Sequence, residues 1–424
     1  MHTLCSHYIF YKERGFVMSH NVIVGQSGGP TSVINASLAG VFKTAKELGA
    51  GKIYGMRNGI EGLLAKQYID MTEYIKDDMD VEILKRTPSS FLGSCRFKLP
   101  TAEKSPETYT KIIEILRELD IQHFFYIGGN DSMDTIKQLS EYAKNNNITD
   151  ITFMGVPKTI DNDLAVTDHT PGFGSAAKYI ASTVKEIVRD AVVQPIKIVT
   201  IIEIMGRNAG WLTAAAALAK GDDCEGADLI YLPEKVFDVD KFVAKIEEIM
   251  KTKQQIVVAV SEGVKTADGK YVCELSDSNK AVDSFGHKQL SGTASTLAQI
   301  LGSKIDCKTR PIEFSTIQRC ANHISSLTDI NEAFIIGGVA VKAAFDGETG
   351  KVGVFERVSS KPYIMGTSIY DVNAIANVEK KVPDEWIIND GTYVSQEAID
   401  YMKPLIQGEL LPYMVDGLPK HIKL

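Results

Sequence analysis

The chain lacks long apolar runs, paired cysteines and any excess of basic charge, and each absence removes a class of function. Its most apolar long stretch, around residues 198–205, is broken by Glu203 and preceded by Pro195 and Lys197. A membrane span needs about 20 consecutive apolar residues, so this stretch reads as a buried strand and no membrane partner is expected. Six cysteines lie scattered at 5, 95, 224, 273, 307 and 320, with no C-x-x-C pair. Such spacing suits free thiols in a reducing compartment, so a cytoplasmic location is expected. Lys and Arg number 46 against 54 Asp and Glu, a formal net charge of −8; a nucleic-acid partner would call for a basic face, and none is expected. Residues 1–17 lack the positive, apolar, small-residue order of a signal peptide and are expected to be a disordered extension, with Met18 an alternative start. His2, His7 and His20 show no metal-ligand spacing.

What is present is a strand–helix alternation. Apolar content of 44% and charged content of 24% are ordinary for a globular chain, and 424 residues suffice for two domains with cores of their own. Strand-like runs at 21–24, 123–127 and 151–156 alternate with helical patterns at 109–119 and 133–144. A second series places strands near 198–204, 229–232 and 255–260, separated by helical stretches at 211–220 and 238–252. The pattern predicts an α/β fold of two doubly wound, largely parallel lobes with the active site in the cleft between them. Lobe one is expected to span 18–163 completed by 320–424, and lobe two 164–319. Gly337-Gly338 and 346–350 are read as turns around two strands, 333–336 and 352–354, the second turn resembling a hairpin connection. Trp211 is expected in the core, and the tail from Leu405 to wrap the surface or dock at a subunit contact.

The most informative segment is Pro157-Lys158-Thr159-Ile160-Asp161-Asn162-Asp163. It places a fixed positive charge, a hydroxyl and two carboxylates just past a predicted buried strand, where open α/β sheets line their ligand crevice. A carboxylate can take a proton from an alcohol, and a lysine can neutralise a moving phosphoryl group. The plain alternative is a charged surface turn. Two glycine loops weigh against it: Gly25-Gln26-Ser27-Gly28-Gly29-Pro30-Thr31-Ser32, and Gly128-Gly129-Asn130-Asp131-Ser132. Each follows a strand and opens a helical pattern, an arrangement that aims backbone N–H groups at an anion. Neither matches the G-x-x-x-x-G-K-[ST] loop or the G-x-G-x-x-G fingerprint.

Taken with Leu92-Gly93-Ser94-Cys95-Arg96, Met205-Gly206-Arg207, Ser261-Glu262-Gly263, Arg310 and Gln318-Arg319, these pieces resemble the phosphofructokinase family, from about Asn21 to about Ser326. The resemblance implies a phosphotransferase acting on fructose 6-phosphate in a reversible glycolytic and gluconeogenic step. Asp131 stands where ATP users carry glycine, and Lys158 where typical bacterial ATP enzymes carry glycine. Together they resemble the branch that takes diphosphate as donor. The family further implies Asp161 as the base for the sugar 1-hydroxyl, with Lys158 and Arg207 on the transferring phosphoryl group. Thr159 and Asp163 would orient sugar and base, with Ile160, Met205, Gly206, Thr316 and Gln318 also in the sugar site. Glu262 would accept from sugar hydroxyls, and Arg310 and Arg319 would clamp the 6-phosphate. Gly28, Gly29, Arg96, Lys98 and Ser132 would hold diphosphate.

Several positions depart from the family pattern. Asn130 replaces an aspartate tied to magnesium, so the Mg2+ expected here would be held by Asn130, Asp163, diphosphate and water. Thr316 stands where relatives place histidine or tyrosine, and Pro30 replaces a frequent aspartate. A basic residue that some relatives lend to a neighbouring subunit aligns with Ile198, next to Lys197. A homo-oligomer, dimer or tetramer, is implied. The alternatives are an ATP-dependent enzyme and a catalytically weak sugar-phosphate-binding regulatory subunit; the intact set Lys158, Asp161, Asp163 and Arg207 argues against the second.

Overall fold

The computed structural model describes residues 20–193, 195–275 and 290–424, so the expectations for the N-terminal extension and for Met18 lie outside it. A seven-stranded sheet and a four-stranded sheet form the centres of two α/β lobes, as the alternation predicts. The larger sheet runs β1 (Asn21–Gln26), β2 (Ile53–Met56), β3 (Tyr68–Asp70), β4 (Ile121–Gly128) and β5 (Thr152–Pro157) along the chain. The smaller comprises β6 (Ile198–Ile204), β7 (Leu229–Tyr231), β8 (Gln255–Ser261) and β9 (Lys308–Glu313). Two late strands, β10 (Lys351–Ser360) and β11 (Tyr363–Asp371), then extend the larger sheet, whose order is β11-β10-β5-β4-β1-β2-β3. The smaller sheet has the order β7-β8-β6-β9.

Register explains why distant motifs meet. β1, β4 and β5 pair in parallel with Gln26 opposite Ile127 and Gly128 opposite Pro157, so their carboxyl ends lie side by side. The pairing continues past the strands: Ser27 N–H donates to the Ile127 carbonyl at 2.9 Å, and Lys158 N–H to that of Gly128 at 3.0 Å. In the smaller sheet Ile204 faces Ser261, and Glu203 faces Glu313, so segments 205–207, 262–263 and 314–319 also leave from one end. Parallel strands covered on both faces read as unbroken apolar runs; all seven residues of β6 are buried.

The structure corrects three expectations. Gly337 and Gly338 lie inside a 19-residue helix, Leu327–Phe345, and not at a turn. A Cβ on Gly337 would collide with the Ser37 carbonyl, and one on Gly40 with that of Phe334, so the glycines let two helices touch backbone to backbone. The expected strand 333–336 belongs to this helix, which is apolar around most of its circumference; periodicity cannot separate a strand from such a helix. Second, residues 346–350 join that helix to β10, and the hairpin is instead β10–β11. Third, the segment 320–424 is divided between lobes. Val382, Ile387, Val394, Ala398, Met402 and Leu405 pack in one buried cluster with Ile202, Trp211 and Ala259 of the second lobe. The last residues return to the first lobe, where Ile422 and Leu424 pack against its core. Trp211 is a core residue, 3% exposed. No helix among the described residues is long and apolar enough to cross a membrane.

The glycine contact is testable by Gly337→Ala. Helix propensity alone favours alanine by about 1 kcal/mol, but overpacking costs about 1–3 kcal/mol and here meets backbone. We expect a net loss of stability, read as a lower urea midpoint at unchanged m-value; a gain would show that the helices can part.

Candidate active site

The carboxyl ends of β1, β4 and β5 enclose a cavity of about 270 Å³, lined by both glycine loops, Cys95, Arg96, Phe97, Tyr126 and the turn after β5. Gly28 has φ +75°, and a Cβ there would lie 3.1 Å from the Lys158 ammonium. Lys158 itself is 3% exposed and donates to the Gly29 carbonyl at 2.8 Å. The lysine therefore lies directly under the loop. A Cβ on Gly128 would strike the Ser132 hydroxyl, which is hydrogen-bonded to Ser27. Helix Asn130–Asn145 starts at this wall, with Asp131 exposed in its first turn.

A larger cavity, about 640 Å³, opens between the lobes. It is lined by Ile160, Met205, Arg207, Glu262, Thr316, Gln318 and Arg319, with Leu290 and Ser291 at the edge of the described chain. Gly29, Arg96, Lys158, Thr159 and Asp161 line both cavities. Asp161 thus stands where the two spaces join. Asn162 makes the turn possible by adopting φ 54°, a left-handed conformation that Asn tolerates better than most residues. Asp161 N–H donates to the Thr159 hydroxyl at 3.1 Å, which closes the turn locally.

Burial dominates the electrostatics. It raises the Asp161 carboxyl above the usual range, although Lys158 and the Thr159 hydroxyl pull the other way. Burial also raises Asp163, and the neighbouring Asp161 adds to it. The Lys158 ammonium is pushed down to about 8 by burial against the opposing pull of both aspartates. Glu262 is pushed up to about 8, by burial first and then by Asp161, and accepts a long hydrogen bond from Gly206 N–H at 3.4 Å. Glu203 is raised to about 7 by burial while accepting from Ala294 N–H at 2.9 Å. The site is rich in carboxylates whose charge is held back. Asn130 Oδ1 and Asp163 Oδ1 are buried without a hydrogen-bond partner, as is Arg319 Nε. No group of three or more His, Cys, Asp or Glu among the described residues could hold a metal by itself. The two orphaned oxygens in the first cavity suit a hard cation that fills the rest of its shell from a bound anion and water.

Most of the expected site residues meet here. Gly28, Gly29, Arg96, Asn130, Asp131, Ser132, Lys158, Thr159, Asp161 and Asp163 line the smaller cavity, and the sugar-side residues line the larger one apart from Gly206, which touches it through Glu262. Two do not join them. Arg310 lies on β9 and pairs with Asp190 at 2.8 Å, and Lys98 is exposed outside both cavities. Lys197 precedes β6 and so lies a strand's length, about 26 Å, from Met205 at the other end. Glu203 and Glu313 line the larger cavity and were not foreseen as site residues. The signal for Glu203 was a carboxylate inside an otherwise apolar strand; Glu313 gave none, because β9 was not recognised.

The family model for phosphofructokinase matches residues 21–312. This chain belongs to the phosphofructokinase family. It is 39% identical over 409 residues to the pyrophosphate–fructose 6-phosphate 1-phosphotransferase of Halomonas elongata, covering 96% of each chain. It is 42% identical over 407 residues to the protein of that name from Xanthomonas campestris pv. campestris, covering 95% of this chain and 96% of the other. Among solved structures, the pyrophosphate-dependent phosphofructokinase of Nitrosospira multiformis superposes with a TM-score of 0.85 at 37% identity, covering 95% and 96% of the two chains. In this phosphofructokinase the matched region ends before helix Leu327–Phe345, β10, β11 and the segment that returns to the second lobe.

The raised carboxylates have a stability consequence. The stability Glu262 contributes is fully present below its unfolded value near 4.5 and is lost as pH rises through about 8. Glu262→Gln in the ligand-free protein should therefore lose less thermal stability than the parent between pH 5 and pH 8.5. A difference of at least about 2 °C in the drop is expected by scanning calorimetry; equal drops would mean that Glu262 is not held protonated.

Proposed function

We propose that this phosphofructokinase transfers a phosphoryl group from diphosphate to the 1-hydroxyl of fructose 6-phosphate, giving fructose 1,6-bisphosphate and phosphate. The observation that carries the reading is the position of Asp161, half-buried where a cavity walled by two glycine loops joins a larger one lined by arginines and carboxylates. The cavities share Gly29, Arg96, Lys158, Thr159 and Asp161, and among these Asp161 is the one carboxylate beside which donor and acceptor would meet. The sugar oxygen attacks phosphorus as its proton passes to Asp161, while the bridging P–O bond of diphosphate breaks and phosphate departs. Lys158 and Arg207 offset charge on the transferred group, which needs positioning and neutralisation more than covalent help. Thr159 and Asp163 orient the turn and the sugar, Glu262 accepts from sugar hydroxyls, and Arg319 binds the 6-phosphate. Ile160, Met205, Gly206, Thr316 and Gln318 shape the sugar site. Gly28, Gly29, Arg96 and Ser132 hold diphosphate, with Lys98 reachable only at the rim. Because phosphoryl transfer from diphosphate is less one-sided than from ATP, the step runs in both glycolytic and gluconeogenic directions.

Asp131 favours diphosphate over a nucleotide. A carboxylate about 4 Å from a further phosphate repels it by about 4 kcal/mol at an effective dielectric near 20. Magnesium, when bound, would neutralise charge on the diphosphate oxygens, and Asn130 and Asp163 are the residues that would hold it. Arg310 lies outside both cavities and could reach a 6-phosphate only at a second copy's site, an arrangement that a homo-oligomer would provide. The cytoplasm, with no membrane or nucleic-acid partner, fits the free thiols and the acidic charge.

A donor comparison tests the reading. With fructose 6-phosphate and Mg2+, turnover is expected with diphosphate and not with ATP; turnover with ATP alone would overturn the donor assignment. Asp131→Gly should make ATP use detectable in a folded protein. Asp161→Ser should lower kcat by about 10²–10⁴-fold with little change in sugar binding, the usual worth of a positioned base. Equal loss of both would make Asp161 a structural residue.

A further inference from the structure

The catalytic turn is gripped from behind by residues that lie outside the family match. Asn162, fully buried and left-handed, sits between the two aspartates. Its Nδ2 donates to the Tyr401 hydroxyl at 2.9 Å, and its Oδ1 accepts from Thr170 N–H at 3.1 Å and from the Lys380 ammonium at 3.3 Å. Tyr401 and Lys380 converge again on the Asp168 carbonyl, at 2.6 and 2.7 Å. Lys380 N–H also donates to the Asp163 carbonyl at 2.7 Å. The amide of Asn162 is therefore held on both of its polar ends, and the peptide after it on a third point.

This grip is itself anchored in both lobes. The Tyr401 ring packs 5.2 Å from Trp211 and 5.6 Å from Trp386, within the second lobe's core. Asp168 is fixed from the other side by Arg357 of β10, at 2.9 Å, and by His169 at 2.9 Å. His169 in turn reaches Glu332 of helix Leu327–Phe345 at 2.7 Å. A turn carrying two half-buried carboxylates, each pushed toward its neutral form by desolvation, has a standing reason to open, because opening would separate and rehydrate them. The family model ends at residue 312, so Lys380 and Tyr401 lie beyond it, in the C-terminal segment that the near-full-length relatives also span.

We propose that Tyr401 and Lys380 are positioning residues for phosphoryl transfer: by clamping Asn162 they set the aim of Asp161 and Asp163 and tie it to the second lobe, which carries the sugar site. The inference rests on the reading of Asp161 as the base. It touches no substrate atom, so its signature is a loss of kcat without a matching loss of sugar affinity.

The test uses the full chain carrying Tyr401→Phe, which keeps the ring packed between the tryptophans and removes only the hydroxyl. We expect kcat to fall about tenfold, since small misplacements of a reacting group cost up to about 10²-fold, with KM for fructose 6-phosphate within about twofold. Combined with Asn162→Ala, it should lower kcat no further than Asn162→Ala does alone. Hydrogen exchange should quicken in the peptide spanning 159–170, where Thr170 N–H depends on the clamp. Lys380→Met should act in the same direction. Unchanged kcat, additive losses or unaltered exchange across 159–170 would each overturn the proposal. If the parent protein shows no turnover with diphosphate, the functional reading fails, and the exchange result alone still decides whether the clamp exists.

Discussion

The contact between the Lys158 ammonium and the Gly29 carbonyl, 2.8 Å long and almost wholly buried, is the one on which the site depends. An ammonium removed from water needs opposite charge nearby, and Asp161 and Asp163 supply it from the same turn. The lysine in turn opposes the upward push of burial on both carboxyls, most of all on Asp161. Loop, lysine and carboxylates therefore form one unit. Asn130 Oδ1 and Asp163 Oδ1 remain unpartnered beside it, and Arg96, Arg207 and Arg319 bring further positive charge to the two cavities.

Parallel register brings that unit into being. Because β1, β4 and β5 end in line at Gln26, Gly128 and Pro157, three segments far apart in the chain share one cavity wall. The same rule in the smaller sheet gathers Arg207, Glu262 and the segment after β9. Two sheets facing each other then leave a cleft whose floor is the turn after β5. Helix Leu327–Phe345, whose Asp329 accepts from Gly172 and Ser175 N–H, and the segment 380–405 link the lobes behind that floor, and the latter lies at the back of the 157–163 turn.

Legibility followed physical cause. The turn 157–163 and both glycine loops were readable because close backbone approach to an anion demands glycine, and phosphoryl chemistry demands carboxylate and lysine together. β4, β5, β6 and β8 were readable because strands covered on both faces are apolar without interruption. Helix Leu327–Phe345 was not, since a helix buried on most sides carries no polar stripe and its Gly337-Gly338 looks like punctuation. β9, with its mixed burial and central Pro311, had no strand signature, which hid Glu313 and the true setting of Arg310. The segment 382–405 carries scattered apolar residues without period, because it fills gaps in a core made by other elements.

By itself the sequence determined the groups available: paired aspartates, a lysine, two glycine loops after strands and the Asp131 carboxylate, all local and dictated by residue type. Tertiary structure decided which of these groups meet. It joined the two cavities at Asp161, kept Arg310 and Lys98 out of them, brought in Glu203 and Glu313, and set Tyr401 and Lys380 against Asn162. Those outcomes depend on strand register and on a chain return of more than two hundred residues, distances over which no local pattern carries information.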